Sequence, residues 1–191
     1  MCIHTILKVI ALKTITHLCL VGTLFASSTP PIIPAPQQIK PESGNPYTIS
    51  NTTAITYSGE NVHSIAALLA GSLRPATGFA LPLKAAKTPA DDTIHLDLRS
   101  DVTGIDGYML KVTQNNIRLR AATAGGLLCG VQTIRQLLPE SIYSKKVEQT
   151  TWNIDPVTIS DYAEYPWRGV MLDVSRYFLN KEYVLRYLDM M

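Results

Sequence analysis

The chain has 191 residues, of which 46% are hydrophobic and 17% charged, a globular composition that excludes a disordered or collagen-like protein. The formal net charge is +2, and the two excess charges, Lys8 and Lys13, both lie within the first 28 residues. The remaining residues carry equal numbers of basic and acidic side chains, so they offer no electrostatic attraction for nucleic acid or for an anionic membrane surface.

Residues 1–28 have the pattern of an export signal. Lys8 and Lys13 precede the apolar run HLCLVGTLFA, which is shorter than the roughly 20 residues that a transmembrane helix needs. Small residues follow this run and permit cleavage after Ser28. We therefore expect an exported protein, periplasmic or secreted, with no membrane span in its mature chain; a short anchor helix is the alternative.

Cysteine usage predicts no disulfide in the mature chain. Cys2 and Cys19 belong to the signal segment, which leaves Cys129 alone within an apolar helical run. A lone thiol in such a run is typical of a small buried hydrophobic residue. A catalytic cysteine would need a neighbouring base and partial exposure.

The first predicted elements are strands and one helix. Residues 29–41 contain five prolines, which indicates an extended segment with an edge strand. The alternation in 46–59 predicts one or two further strands. A helix is predicted from about Glu60 to Leu73, and Pro75, two residues later, is expected to prevent its continuation.

Two more strands are predicted over residues 79–86 and 93–101. In the second strand, the apolar side chains alternate onto one face and leave His95 and Asp97 on the other. A metal site would need a third ligand at a suitable spacing, and none is present, so we predict no metal. The face with His95 and Asp97 is expected to be solvated.

The block from residue 105 to 139 has the clearest pattern. Alternation on both sides of the tight connection QNN predicts a β-hairpin. From Ala124 to Leu138 the apolar period becomes helical, and Pro139 ends it. The glycines of GGLLCG open this helix, but their spacing is not that of a phosphate-binding loop. We interpret them as small residues that let the helix lie close to the sheet.

These elements predict an α/β sandwich over residues 29–155, a small sheet with two helices. The stretch SIYSKKVEQTTWNIDP reads as a polar connector, and the boundary is placed there. Residues 156–191 then begin a second architecture: GVMLDV is a near-continuous apolar run, as in a strand covered on both faces. Asn180 is the N-cap of a following amphipathic helix, so this is one βα unit of a parallel α/β fold.

Polar side chains flank the predicted strand GVMLDV. Asp173, Ser175 and Arg176 lie at its carboxyl end, which in a barrel faces the active site. They are candidates for residues that line a site; a buried Asp–Arg pair or a hydrogen bond that fixes the loop is the favoured alternative. Trp167, before the strand, suits either stacking on a sugar or plugging the bottom of a barrel.

The run PWRGVMLDVSRYF resembles the first barrel strand of glycoside hydrolase family 20, the β-N-acetylhexosaminidases, whose pattern is close to W/F-R-G-x-x-L-D-x-S/A-R-H-F/Y. The block IDGYMLKVTQNNIRLRAATAGGLLCGVQTIRQLLP is similar to the non-catalytic domain that precedes the barrel in this family. The opening PIIPAPQQIK is also similar. The resemblance covers about Pro31 to Met191, and Tyr177 stands where the family usually has histidine.

The resemblance implies an enzyme that hydrolyses terminal non-reducing N-acetylhexosamine residues of glycans or chitin oligosaccharides, without a cofactor. The substrate's own acetamido oxygen is the nucleophile, as in other substrate-assisted retaining enzymes. An adjacent Asp-Glu pair would supply the remaining chemistry. No such pair occurs in this sequence, so the resemblance implies a fragment, with residues 156–191 as the first unit of a truncated TIM barrel.

By the same resemblance, Arg168 binds the hydroxyls of the terminal sugar, and its guanidinium fork suits two neighbouring hydroxyls. Asp173 and Arg176 are expected to be structural, or to line the site. The alternative to an enzyme is an exported non-enzymatic α/β module that binds a partner. A nucleotide-binding Rossmann fold does not fit the glycine spacing.

Overall fold

The computed structural model describes residues 30–191, so the predicted signal segment lies outside the described residues. Within this range the chain forms nine strands and three α-helices. The strands are β1 (Gln38–Pro41), β2 (Tyr47–Ile49), β3 (Ala54–Ser58), β4 (Leu83–Ala85), β5 (Thr93–Leu98), β6 (Ile105–Val112), β7 (Asn116–Ala121), β8 (Trp152–Ile154) and β9 (Val157–Ala163). The helices are α1 (His63–Thr77), α2 (Ala124–Leu137) and α3 (Lys181–Met190).

Seven strands form one mixed sheet in the order β1-β9-β6-β7-β5-β3-β4, and β2 pairs with β8 in a separate antiparallel pair. Strands β4, β3, β5 and β7 run parallel to one another, whereas β6 pairs antiparallel with β7 and with β9. Helix α1 is the crossover that lets β3 and β4 lie parallel. The predicted mixed α/β class, the hairpin β6–β7 and the edge strand β1 are confirmed.

Helices α1 and α2 cover the apolar side of this sheet. Their buried residues recur at the helical period and pack against the inward side chains of the central strands. The fully buried side chains of those strands include Ile55, Ile94, Leu96, Leu110, Ile117 and Leu119. This layer forms the hydrophobic core.

Helix α1 continues past the expected stop. It contains Pro75 and ends at Thr77, so the predicted end at Leu73 is wrong. A proline in the last turn removes only one backbone hydrogen bond, and the helix is closed instead by Gly78. Gly78 adopts a left-handed backbone with φ of 70° and donates its N–H to the carbonyl of Arg74.

The stretch after α2 is not a featureless connector. Ile142, Trp152 and Ile154 are buried, and β8 pairs with β2. Strand β9 lies between β1 and β6 in the main sheet. The main sheet therefore extends past the predicted boundary at residue 155, because β9 pairs with both β1 and β6.

The predicted strand over GVMLDV is not formed. The structure assigns no strand to residues 169–174, and most of these side chains are exposed. A parallel strand needs a hydrogen-bonded neighbour and cover on both faces, and residues 30–191 supply neither to this segment. The predicted final helix is confirmed: the Asn180 side chain accepts a hydrogen bond from the Tyr183 N–H at 2.9 Å. In the described part of the chain, no helix has the length and apolarity to cross a bilayer.

Candidate functional site

Arg168, the sugar-binding candidate, forms an ion pair with Asp106. Its Nη2 donates to Oδ2 of Asp106 at 2.9 Å. The two side chains are 52% and 31% exposed, so the pair lies at the surface with both partners accessible to solvent. The contact connects the segment after β9 to the beginning of β6, 62 residues earlier in the chain.

The carboxylate of Asp106 is fixed by its surroundings. Asp106 has a left-handed backbone with φ of 47°, at an irregularity in the β6–β9 pairing between Ile105 and Tyr108. The Thr123 hydroxyl donates to its Oδ1 at 3.3 Å. Thr123 is also the N-cap of α2 and accepts the Gly126 N–H at 3.0 Å. The carboxylate thus lies beside the N-terminus of a helix, where negative charge is favoured.

The glycines at the start of α2 act as the close-packing interpretation predicted. A Cβ at Gly125 would overlap the carboxylate of Asp106, and one at Gly126 would overlap the carbonyl oxygen of Gly107. A Cβ at Gly130 would overlap the side chain of Leu119. The helix approaches the sheet so closely that these positions leave no room for a side chain.

Asp173 and Arg176 form a local turn. Oδ1 of Asp173 accepts the backbone N–H groups of Ser175 at 2.8 Å and Arg176 at 3.3 Å. Arg176 Nε lies 3.4 Å from Oδ2 of Asp173, and the two side chains are 86% and 46% exposed. The loop-fixing hydrogen bonds are therefore present, and within residues 30–191 the Asp173–Arg176 pair is exposed to solvent.

A groove of about 500 Å³ runs beside Arg168. It is lined by Arg168, Gly169, Val170, Tyr187, Met190 and Met191. Trp167, directly before it, is 82% exposed, so it is not packed as a plug within residues 30–191.

The expectation for His95 and Asp97 is wrong, because neither side chain is solvated. Both are buried, at 0% and 1% exposure. Asp97 Oδ2 accepts from Arg99 Nε at 2.8 Å and from Arg118 Nη2 at 3.1 Å. His95 Nδ1 lies 2.8 Å from the Thr56 hydroxyl, and burial lowers the pKa of this histidine. Strand β5 is central in the sheet, so neighbouring long side chains cover its polar face.

In the part of the chain that the structure describes, we find neither a metal-binding cluster nor a reactive cysteine. Residues 30–191 contain no group of three metal-binding side chains. Cys129 is half-buried, and burial is the main factor that raises the pKa of its thiol, which keeps it protonated and unreactive. The contact that sequence reasoning missed is Asp106 with Arg168, because two residues 62 positions apart leave no local signal of their pairing.

Family comparisons divide the chain into two consecutive matches. Residues 29–162 match the model described as glycosyl hydrolase family 20, domain 2. Residues 165–191 match the model described as glycosyl hydrolase family 20, catalytic domain.

Individual relatives agree with the family matches. A beta-hexosaminidase of Porphyromonas gingivalis is 31% identical over 161 residues, which are 84% of this chain and 21% of that protein. Among solved structures, the β-N-acetylhexosaminidase of Streptomyces coelicolor superposes with a TM-score of 0.76 at 37% identity, over 83% of this chain and 32% of that one. A mutant Streptomyces plicatus β-hexosaminidase in complex with its product GlcNAc gives a TM-score of 0.76 at 38% identity, over 83% and 31% of the two chains. The chain therefore spans only about a fifth to a third of the length of these relatives.

Proposed function

Since the chain belongs to glycosyl hydrolase family 20, we propose that it forms the N-terminal part of a β-N-acetylhexosaminidase. The enzyme would remove terminal non-reducing N-acetylhexosamine residues from glycans or chitin oligosaccharides. The observation that carries this proposal is the order of the two family matches, domain 2 over residues 29–162 and the catalytic domain over 165–191. The GlcNAc bound to the Streptomyces plicatus relative supports the substrate class.

The proposed reaction is substrate-assisted. The acetamido oxygen of the substrate forms a bond to the anomeric carbon as the glycosidic bond breaks, and a glutamic acid donates its proton to the leaving oxygen. Water then attacks the anomeric carbon as the bond to the acetamido oxygen breaks, and the same carboxylate removes the proton of the water, so that the two inversions together retain the configuration. Arg168 would hold hydroxyls of the terminal sugar. The adjacent Asp-Glu pair is absent from residues 1–191, so it would come from chain that follows them.

Residues 165–191 would be the first unit of a TIM barrel. Support comes from the large apolar side chains that this segment exposes, since patches of this kind mark surfaces that are covered in the working protein. The most exposed are Trp167, Met171, Tyr177 and Phe178, each more than 80% accessible. Neighbouring barrel strands would cover these side chains and supply the hydrogen bonds that residues 169–174 need to become a strand.

We also propose that the enzyme is exported, to the periplasm or the medium. The basic, apolar and small-residue order of residues 1–28 supports this location. Mass spectrometry of the mature N-terminus would test it: a chain beginning at Thr29 is expected, and an intact N-terminus in the cytoplasm would contradict it.

Hydrolysis of p-nitrophenyl N-acetyl-β-glucosaminide tests the enzymatic proposal. The whole protein, expressed from the gene through and beyond the codon for Met191, is expected to release nitrophenol. Residues 1–191 alone are expected to be inactive, because they lack the acid/base. Turnover by residues 1–191 that Arg168→Ala abolishes would contradict this assignment of the chemistry to the following chain.

A further inference from the structure

We propose that Asp106 is a positioning residue for Arg168, so that the first domain sets the direction of the sugar-binding guanidinium. This inference rests on the proposed function, in which Arg168 contacts the terminal sugar. Its basis in the structure is the ion pair from β6 to the segment matched as catalytic domain, with Arg168 Nη2 and Asp106 Oδ2 2.9 Å apart.

Asp106 is suited to hold another side chain in place because three features of the structure fix its own position. Its left-handed backbone is one that aspartate tolerates better than most residues. The Thr123 hydroxyl holds one carboxylate oxygen at 3.3 Å. The absence of a side chain at Gly125 leaves the space that the carboxylate occupies. The second oxygen is thereby directed to Arg168.

Arg168, by contrast, depends on this contact. Its side chain is 52% exposed, and Asp106 is its hydrogen-bonding partner among the described side chains. A long, half-exposed arginine samples many rotamers, and this freedom is lost when a sugar binds. An ion pair formed before binding reduces that cost.

The geometry leaves the guanidinium free to bind a second group. Asp106 occupies one terminal nitrogen, Nη2, and an arginine has five N–H donors on a rigid plane. The remaining donors are available for neighbouring hydroxyls of a bound sugar. The pair is exposed to solvent, so its contribution to folding stability is small, and its removal should change binding more than it changes stability.

The test is the steady-state kinetics of Asp106→Asn in the whole enzyme. Asparagine keeps the shape, tolerates the left-handed backbone and can still accept the Thr123 hydroxyl through Oδ1. Its amide nitrogen replaces Oδ2 and cannot accept from Arg168, so the charge and the hydrogen bond to Arg168 are both removed. KM is expected to rise about fivefold while kcat changes less than about twofold, the pattern of lost uniform binding. In an Arg168→Ala background, Asp106→Asn should change KM by less than about twofold, because the residue it positions is gone.

Asp101→Asn is the matched control, because it removes a similar surface ion pair, with Arg120 at 3.0 Å, in which Arg168 takes no part. It should leave KM unchanged. If Asp106→Asn does not fold, Asp106→Gly replaces it, since glycine adopts the left-handed backbone freely, and the same rise in KM is expected. Two results in an active enzyme would overturn this inference alone. One is a KM that Asp106→Asn leaves unchanged; the other is a rise in KM from Asp106→Asn that is as large in the Arg168→Ala background as in the wild type. A wild type without any hexosaminidase activity would instead overturn the proposed function, and this inference with it.

Discussion

Replacing Gly126 by alanine should destabilise the first domain, although alanine is the better helix former. Gly126 lies in the first turn of α2, where an added Cβ would overlap the carbonyl oxygen of Gly107 and lie 2.9 Å from the Cβ of Ala121. Both neighbours belong to the sheet, so neither can rotate away as the end of a flexible side chain could. The helix and the strand would have to separate.

The expected magnitude follows from two opposing effects. Alanine is favoured over glycine in a helix by about 1 kcal/mol. Overpacking a well-packed site costs about 1–3 kcal/mol, and the upper value applies here because the overlap is with backbone. The net loss is therefore about 2 kcal/mol in the free energy of unfolding, or roughly 6 °C in Tm for a domain of this size.

Urea and thermal unfolding of the chain without residues 1–28 would measure this loss. The matched control is Gly71→Ala in α1, where an added Cβ meets nothing within 4 Å. It should stabilise by about 0.5–1 kcal/mol through helix propensity alone. A Gly126→Ala protein as stable as wild type would refute the reasoning, because it would show that α2 does not pack this closely on the sheet.

Three further predictions concern the core, the buried histidine and the sugar contact. Trp152→Ala should cost about 3–5 kcal/mol in urea unfolding, because Trp152 is only 2% exposed; the exposed Tyr165→Ala should change stability by less than about 0.5 kcal/mol, and equal effects would mean that residues 144–155 are a linker after all. Burial lowers the pKa of His95 below its ordinary 6.5, so below that pH the unfolded state binds a proton that the folded state does not, and stability falls as pH falls. His95→Gln should remove this part of the pH dependence between pH 7.5 and 5, and parallel curves for wild type and His95→Gln would contradict the prediction. Arg168→Ala should lower kcat/KM of the whole enzyme about 10- to 100-fold, the effect of losing hydrogen bonds from a charged donor; unchanged kcat/KM for p-nitrophenyl N-acetyl-β-glucosaminide would exclude Arg168 from the sugar site.

The sequence predicted the parts of the fold that have long periodic patterns. The hairpin β6–β7 and helix α2 alternate or repeat over enough residues for the period to be recognised. Strands β2 and β8 have three residues each, and the position of β9 between β1 and β6 depends on pairing with residues far away in the chain. Neither feature leaves a local signal, so the boundary was placed too early.

The burial of His95 and Asp97 could not be predicted from alternation. Polar positions in an alternating strand are usually predicted to face solvent. Strand β5, however, lies between β7 and β3, and side chains from these neighbouring strands cover its polar face. The buried carboxylate is compensated by two arginines, Arg99 and Arg118. One of these, Arg118, comes from the adjacent strand β7, which a local reading of β5 does not include.

The candidate site was predicted only in part. The resemblance of PWRGVMLDVSRYF to the family motif identified Arg168, whereas its partner Asp106 lies 62 residues earlier and carries no pattern of its own. The strand that the apolar run predicts over residues 169–174 is not formed in the described chain, because a strand needs hydrogen-bonded neighbours that a local pattern does not reveal.

The most direct test of the central claim is proton NMR of the whole protein hydrolysing p-nitrophenyl N-acetyl-β-glucosaminide. The β-anomer of N-acetylglucosamine is expected to appear first and then to equilibrate with the α-anomer, as substrate-assisted retention requires, and Arg168→Ala is expected to slow its appearance. Initial release of the α-anomer would contradict the mechanism, and the absence of hydrolysis by the folded whole protein would contradict the assignment of this chain to an active β-N-acetylhexosaminidase.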